Sequence, residues 1–210
     1  MPIRIRQHVN PLARKFSQPV NLPNWQEVFD RPERALHLDI GCARGRFLRL
    51  MAQQQPETNF LGIEIRQPLV AAANLVRDEL GLSNLHYLFG NINSSAEVLL
   101  QSLPVDTLQT ISVQFPDPWF KKRHQKRRVI QPDLVKILVD YLAVGGRVFL
   151  QSDIEEVAIQ MRDRFAASPG LNQTHSTTWL DSNPLEVPTE RELYVLEQNL
   201  PVYRVMFYKY

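Results

Sequence analysis

The chain has 210 residues, 44% of them hydrophobic, enough to bury one full core, yet no apolar run approaches the ~20 residues that a membrane helix needs. Its formal charge of +2 is unevenly spread: Lys121, Lys122, Arg123, Lys126, Arg127 and Arg128 form a track without an acid, Arg4, Arg6, Arg14 and Lys15 precede the first acid at Glu27, and the other 14 basic residues face 22 acids. The single cysteine excludes an internal disulfide, the five histidines show no metal-ligand spacing, so no metal is expected, and the opening MPIRIRQHVNP lacks the apolar core of a secretory signal, so a cytoplasmic location is expected.

Residues 1–23 are polar, basic and proline-containing, and read as an arm that lies on the domain or is ordered by a ligand. A short helix is expected around 25–30. Strand and helix signals then alternate: strand 35–40, helix 45–54, strand 60–65, helix 68–80 with Pro68 in its first turn, strand 85–89, helix 94–103, strand 107–115 and helix 132–142. After Gly145-Gly146 come strand 147–151, helix 154–166, strand 171–179, helix 189–198 and strand 202–208. The alternation predicts an α/β fold, a doubly wound and mostly parallel sheet with helices on both faces and an antiparallel C-terminal strand, forming a single domain over 24–210.

Asp39-x-Gly41-x-x-x-Gly45 stands between the first strand and its helix, where glycines admit a ligand to the backbone and the helix start favours negative groups. Ala43 occupies the middle glycine of a dinucleotide fingerprint and no third glycine follows in register, which disfavours NAD; the phosphate loop ending Gly-Lys-Ser/Thr is absent too. Glu64 closes the second strand, where a carboxylate can accept from both hydroxyls of a ribose. Asn91 follows the third strand and can offer an amide to an adenine edge. Acids and an amide at three successive strand ends describe a pocket for an adenosine-containing ligand. The arrangement resembles the S-adenosyl-L-methionine site of Rossmann-like methyltransferases. Cys42, in the same loop, is assigned no chemistry.

The fourth strand runs into Phe115-Pro116-Asp117-Pro118-Trp119, which puts a carboxylate held between prolines at the sheet edge where α/β folds bind ligands, directly before the cationic track. Trp119 offers a stacking face, and six cations in eight positions repel one another unless phosphates neutralise them.

Phe115 to Trp119, followed by Lys121-Lys122-Arg123-His124-x-Lys126-Arg127-Arg128, resembles the signature of bacterial tRNA (guanine-N7-)-methyltransferases. The similarity extends from Arg4-x-Arg6-x-His8-x-Asn10-Pro11-Leu12 through Gly62-Ile63-Glu64 and Gly81 to Leu85 as far as Thr189-x-x-Glu192. The resemblance implies a Rossmann-like fold, S-adenosyl-L-methionine as cofactor and tRNA as partner, with the methyl group going to N7 of a variable-loop guanine. It implies that Asp39, Gly41, Gly45, Glu64, Asn91 and Asp117 hold the cofactor and that Asp117 is also catalytic. Lys121, Asp153, Thr189 and Glu192 fall on its substrate-contact positions, and Arg123, Lys126, Arg127 and Arg128 on its RNA-binding stretch. Two departures stand out: Asp39 and Ala43 replace residues of Glu-x-Gly-x-Gly-x-Gly, and Arg191 replaces a usual aromatic, so a phosphate contact becomes available there. Two other readings stay open on the residues alone: an adenine exocyclic-amine methyltransferase, and a non-catalytic RNA-binding protein with a decayed cofactor loop. The oligomeric state is left open.

Overall fold

A computed structural model describes residues 9–210. Among them the sheet has seven strands, β1 (Leu36–Ile40), β2 (Asn59–Glu64), β3 (Leu85–Phe89), β4 (Leu108–Gln114), β5 (Arg147–Ser152), β6 (Leu171–Gln173) and β7 (Tyr203–Lys209), in the order β3-β2-β1-β4-β5-β7-β6. The pairs from β3 to β5 are parallel, and β7 runs antiparallel to both β5 and β6. Chain order turns back between β1 and β4, so the strand ends part there and open a crevice.

Period-two alternation decides which side chains face which helices. Leu36, Leu38 and Ile40, Leu61 and Ile63, Ile111 and Val113, Val148 and Leu150, and Val205 and Phe207 all point to one side. There they meet α1 (Trp25–Val28), α4 (Ile92–Gln101), α5 (Pro132–Tyr141) and α6 (Glu155–Ala166). Phe60, Tyr87, Phe149 and Met206 point the other way, onto α2 (Arg46–Gln54) and α3 (Gln67–Glu79). The last helix, α7 (Glu190–Glu197), follows a long irregular connection. Helices thus cover both faces, as the alternation predicts. No helix among the described residues is long and apolar enough to cross a membrane.

Most element bounds shift by a residue or two from expectation, and two shifts have a visible cause. The helix expected over 94–103 begins at Ile92, because the Asn91 side chain accepts from the Asn93 amide and caps it early. The strand expected over 171–179 stops at Gln173, whose side-chain amide donates to the carbonyls of His175 and Thr177 and folds the chain out of the ladder.

Arg4, Arg6 and His8 of the arm lie outside the described residues. From Val9 onward the arm lies on the domain: Phe16 is buried edge-to-face against Phe89, and its carbonyl accepts from Ser94 Oγ at 2.9 Å. The amide of Val20 donates to Ser95 Oγ at 3.1 Å.

Candidate active site

The loop after β1 is shaped by three left-handed residues, Gly41, Ala43 and Gly45, at φ of 83°, 50° and 71°. A Cβ on Gly45 would stand 2.5 Å from the Tyr87 ring, whose hydroxyl donates to the Gly45 carbonyl at 2.6 Å, so only glycine fits. A Cβ on Gly41 would meet no atom within 4 Å; its constraint is φ, and the space beside it is open cleft. Ala43 takes the conformation glycine would take, and its amide donates to Glu64 Oε2 at 3.0 Å. The substitution that suggested a decayed loop therefore leaves the loop's geometry in place.

Glu64 is buried and saturated: Oε1 accepts from the amide and Nε of Arg66, and Oε2 from the Ala43 amide and Arg66 Nη2, at 2.9–3.0 Å. The hydrogen bond to Glu64 raises the Arg66 pKa, and the nearby carboxylate of Asp117 adds to this. Arg66 belongs to no motif in the sequence.

Arg66 stands where two cavities meet. The inner one, about 130 Å³, is walled by Ile40, Ile63, Ile65, Ile92, Glu64 and Asn91, with Val9 and Pro11 of the arm. The outer one, about 620 Å³, is walled by Asp39, Arg44, Arg46, Phe120, Asp153, Thr189 and Arg191. Gly41, Arg66, Phe115, Pro116 and Asp117 line both. The inner chamber is smaller than the ~300 Å³ of ordinary small-molecule sites, and Arg66 and the arm are what narrow it. A larger cavity, about 900 Å³ between α5 and α6, takes its walls from Arg128, Lys136, Glu156 and Asp163 and none from a strand.

Asp117 is held by an unusual turn. Phe115 and Trp119 both have positive φ, 50° and 42°, a conformation costing of order 1–3 kcal/mol each for residues with a Cβ. The surroundings enforce it: the Phe115 amide donates to the Gln151 carbonyl at 2.8 Å, and Arg128 Nε donates to the Pro118 carbonyl at 2.7 Å. The Trp119 ring lies 5.0 Å from the Arg127 guanidinium and edge-on to His124. The turn is thus held under strain by its surroundings.

The cationic track divides. Lys122–Arg127 form a short 3-10 helix, with Lys121, Lys122, Arg123 and Lys126 exposed. Arg127 turns back to Trp119 at the inner chamber. Arg128 is only 4% exposed, bound to Pro118, Gln160 and Glu156, so the expected phosphate contact gives way to a structural tie under the Asp117 turn. Spacing could not separate these roles, since all six cations are adjacent in sequence.

The remaining expected residues also sort by surroundings. Asn91 lies on the inner wall, but its amide nitrogen donates to the carbonyls of Pro11 and Phe16, at 3.2 and 3.3 Å, so it tethers the arm where an adenine contact was expected. Asp153 and Thr189 face the outer chamber; Asp153 pairs with Arg191, and Thr189 Oγ1 caps α7 by accepting from the Glu192 amide. Glu192 itself is 1% exposed, bound by Arg204, Asn183 and Gln151, below the chamber wall rather than on it. Asp39 is buried, and burial raises its carboxyl pKa to about 6 against hydrogen bonds from Ser112 and Gln114 that pull it down. Burial also pushes the Cys42 thiol up. Among the described residues no group of three or more potential ligands could hold a metal ion.

A cleft at the switch point between β1 and β4, walled by a glycine turn and a strand-end carboxylate, defines the class: a Rossmann-like methyltransferase fold. Solved structures agree on the fold, among them the 16S rRNA methyltransferase KamB (14% identity, 92% of this chain and 96% of that one, TM-score 0.60) and a 30S ribosomal A1408 methyltransferase from an uncultured bacterium (14%, 90% and 96%, TM-score 0.57). A family model described as "Putative methyltransferase" matches residues 33–205. Among curated relatives, the tRNA (guanine-N(7)-)-methyltransferase of Trichormus variabilis is 58% identical over 205 residues, 98% of this chain and 95% of the relative, and that of Synechocystis sp. is 58% identical over 204 residues, 97% and 96%. The chain belongs to the tRNA (guanine-N(7)-)-methyltransferase family.

Proposed function

We propose that this chain transfers the methyl group of S-adenosyl-L-methionine to N7 of a guanine in tRNA, at the variable-loop position implied by the resemblance, giving N7-methylguanosine. The observation that carries it is the meeting of two chambers on Asp117 beside an exposed cationic turn, in a chain 58% identical over nearly its full length to relatives bearing that name. The donor set fits the cofactor: an isoleucine-walled chamber suits an adenine, Glu64 a ribose, and the open backbone at Gly41 with Asp39 beneath it a charged amino-acid tail. When bound, the cofactor supplies a methyl group on a sulfonium.

Guanine N7 carries an unprotonated lone pair at neutral pH, so the site needs no base to create the nucleophile. Orientation and charge are what the protein contributes. Asp117, lining both chambers, can accept from guanine N1–H and the 2-amino group and so fix the ring while N7 points at the methyl carbon. As attack proceeds the base becomes cationic, and the Asp117 carboxylate stabilises that charge more than the neutral ground state. Phe120, exposed at the outer chamber, offers a face for a base drawn out of the RNA stack. Lys121, Lys122, Arg123 and Lys126 hold the phosphates beside it.

Incubating the purified protein with unmodified tRNA and labelled methyl donor, then digesting to nucleosides and weighing them, tests the proposal. N7-methylguanosine is expected. Methyladenosine would support the exocyclic-amine reading, whose Asn/Asp-Pro-Pro-aromatic turn differs from Pro116-Asp117-Pro118-Trp119, and no product would support a binding protein.

A further inference from the structure

On the α2 side of the sheet, apolar alternation ends at the crevice and buried polar side chains replace it. They cross four strands in register: Asp39 on β1 is opposite Ser112 on β4, Gln114 on β4 is opposite Gln151 on β5, and Gln151 is opposite Arg204 on β7. Their hydrogen bonds are continuous. Ser112 Oγ and, at 3.4 Å, Gln114 Nε2 donate to Asp39 Oδ1. Gln151 Nε2 donates to Gln114 Oε1 at 2.8 Å and to Glu192 Oε2 at 3.1 Å, while its Oε1 accepts from Arg204 Nε at 3.2 Å. Arg204 Nη2 and Asn183 Nδ2 complete Glu192 at 2.8 and 2.7 Å.

Gln151 is fully buried, with both amide hydrogens and its oxygen committed, so a shift of either neighbour leaves a buried group unpaired. The ends of this ladder reach two sets of residues that line the outer chamber. Asp39 lies at the cofactor loop, and Glu192 fixes the first turn of α7, where Thr189 and Arg191 face the chamber.

We propose that Gln151 is a positioning residue that couples binding at the cofactor loop to tRNA binding at α7, through Gln114 on one side and Glu192 on the other. The inference rests on the methyl-transfer reading and assigns a role that reading does not need. A ligand that contacts Asp39 perturbs the bonds that Gln114 and Gln151 share with Glu192, and so changes the wall that a second ligand meets. A ladder serving stability alone would lose nothing in coupling when an apolar residue of similar volume replaced its centre.

The test is the dissociation constant of unmodified tRNA with and without saturating S-adenosylhomocysteine, for the full chain and for Gln151→Met and Gln114→Met. The native protein is expected to bind tRNA at least about five-fold tighter with the cofactor product present, and both variants less than about two-fold tighter. Absence of coupling in the native chain, or a variant that melts cooperatively and keeps the native factor, overturns the inference. Gln114, at the partly exposed chamber edge, decides the matter if Gln151→Met does not fold. Failure of the native chain to methylate tRNA would instead sink the parent reading, whereas active variants with undiminished coupling would sink only the ladder.

Discussion

Asp39→Asn should make the protein more stable at neutral pH while weakening the cofactor site. The Asp39 carboxyl is buried beside Ser112, and burial raises its pKa from 3.8 to about 6. Between those values the folded state binds a proton that the unfolded chain has released, so Asp39 makes stability fall as pH rises from about 4 to about 6. At ~1.36 kcal/mol per pH unit, the loss above pH 6 is about 3 kcal/mol. Neighbouring His37, whose ring nitrogen lies 2.8 Å from Ser112 Oγ, has the opposite slope: burial, aided by Arg147, lowers its pKa to about 3, so its contribution to stability grows between about pH 3 and 6.5. Comparing variant with native protein cancels that term. Urea unfolding at pH 4 and pH 7.5 should show the Asn variant gaining, relative to native, about 2.5 kcal/mol more at the higher pH. A relative stability that stays flat to within about 1 kcal/mol across that window would refute the assignment of Asp39 as a carboxylate ionised at a cost to the fold.

Asp117→Ala should lower kcat by about 10²-fold or more while tRNA affinity changes little, as single-turnover kinetics and filter binding can show; the reverse pattern would make Asp117 an RNA contact. Lys121→Ala with Lys126→Ala should weaken tRNA binding and reduce the log-log salt slope by roughly 0.7–0.9 per lost phosphate contact. Arg128→Met should leave that slope unchanged and cost about 1–3 kcal/mol of stability, seen as a lower Tm, because its guanidinium ties Pro118 and Glu156 inside the protein; an altered slope with unchanged Tm would return Arg128 to the RNA surface.

The sheet was legible because the alternation of strands and helices is strong. The glycine turn and the strand-end acid were legible as Gly41, Gly45 and Glu64, because spacing from strand ends dictates position. Sequence adjacency misled where neighbours diverge in space: Arg128 turns inward while Lys126 stays in solvent, a split set by the 3-10 helix rather than by composition. Glu192 and Asn91 sit at motif positions, but their side chains are taken by Arg204 and by the arm carbonyls, partners 12 and at least 75 residues away. The Gln114–Gln151 pair left a visible trace, polar residues at the ends of otherwise apolar strands, whose meaning depends on register that one sequence does not give. Arg66, the residue dividing the cleft, followed from no motif at all.

Methylation at guanine N7 weakens the glycosidic bond, so borohydride reduction followed by aniline cuts RNA at the modified residue. End-labelled tRNA treated with this protein and S-adenosyl-L-methionine should be cut at one guanine in the variable loop, and tRNA treated with Asp117→Ala should stay whole. Methyl label entering tRNA that aniline leaves intact would place the group on another atom and contradict the reaction proposed for this cleft.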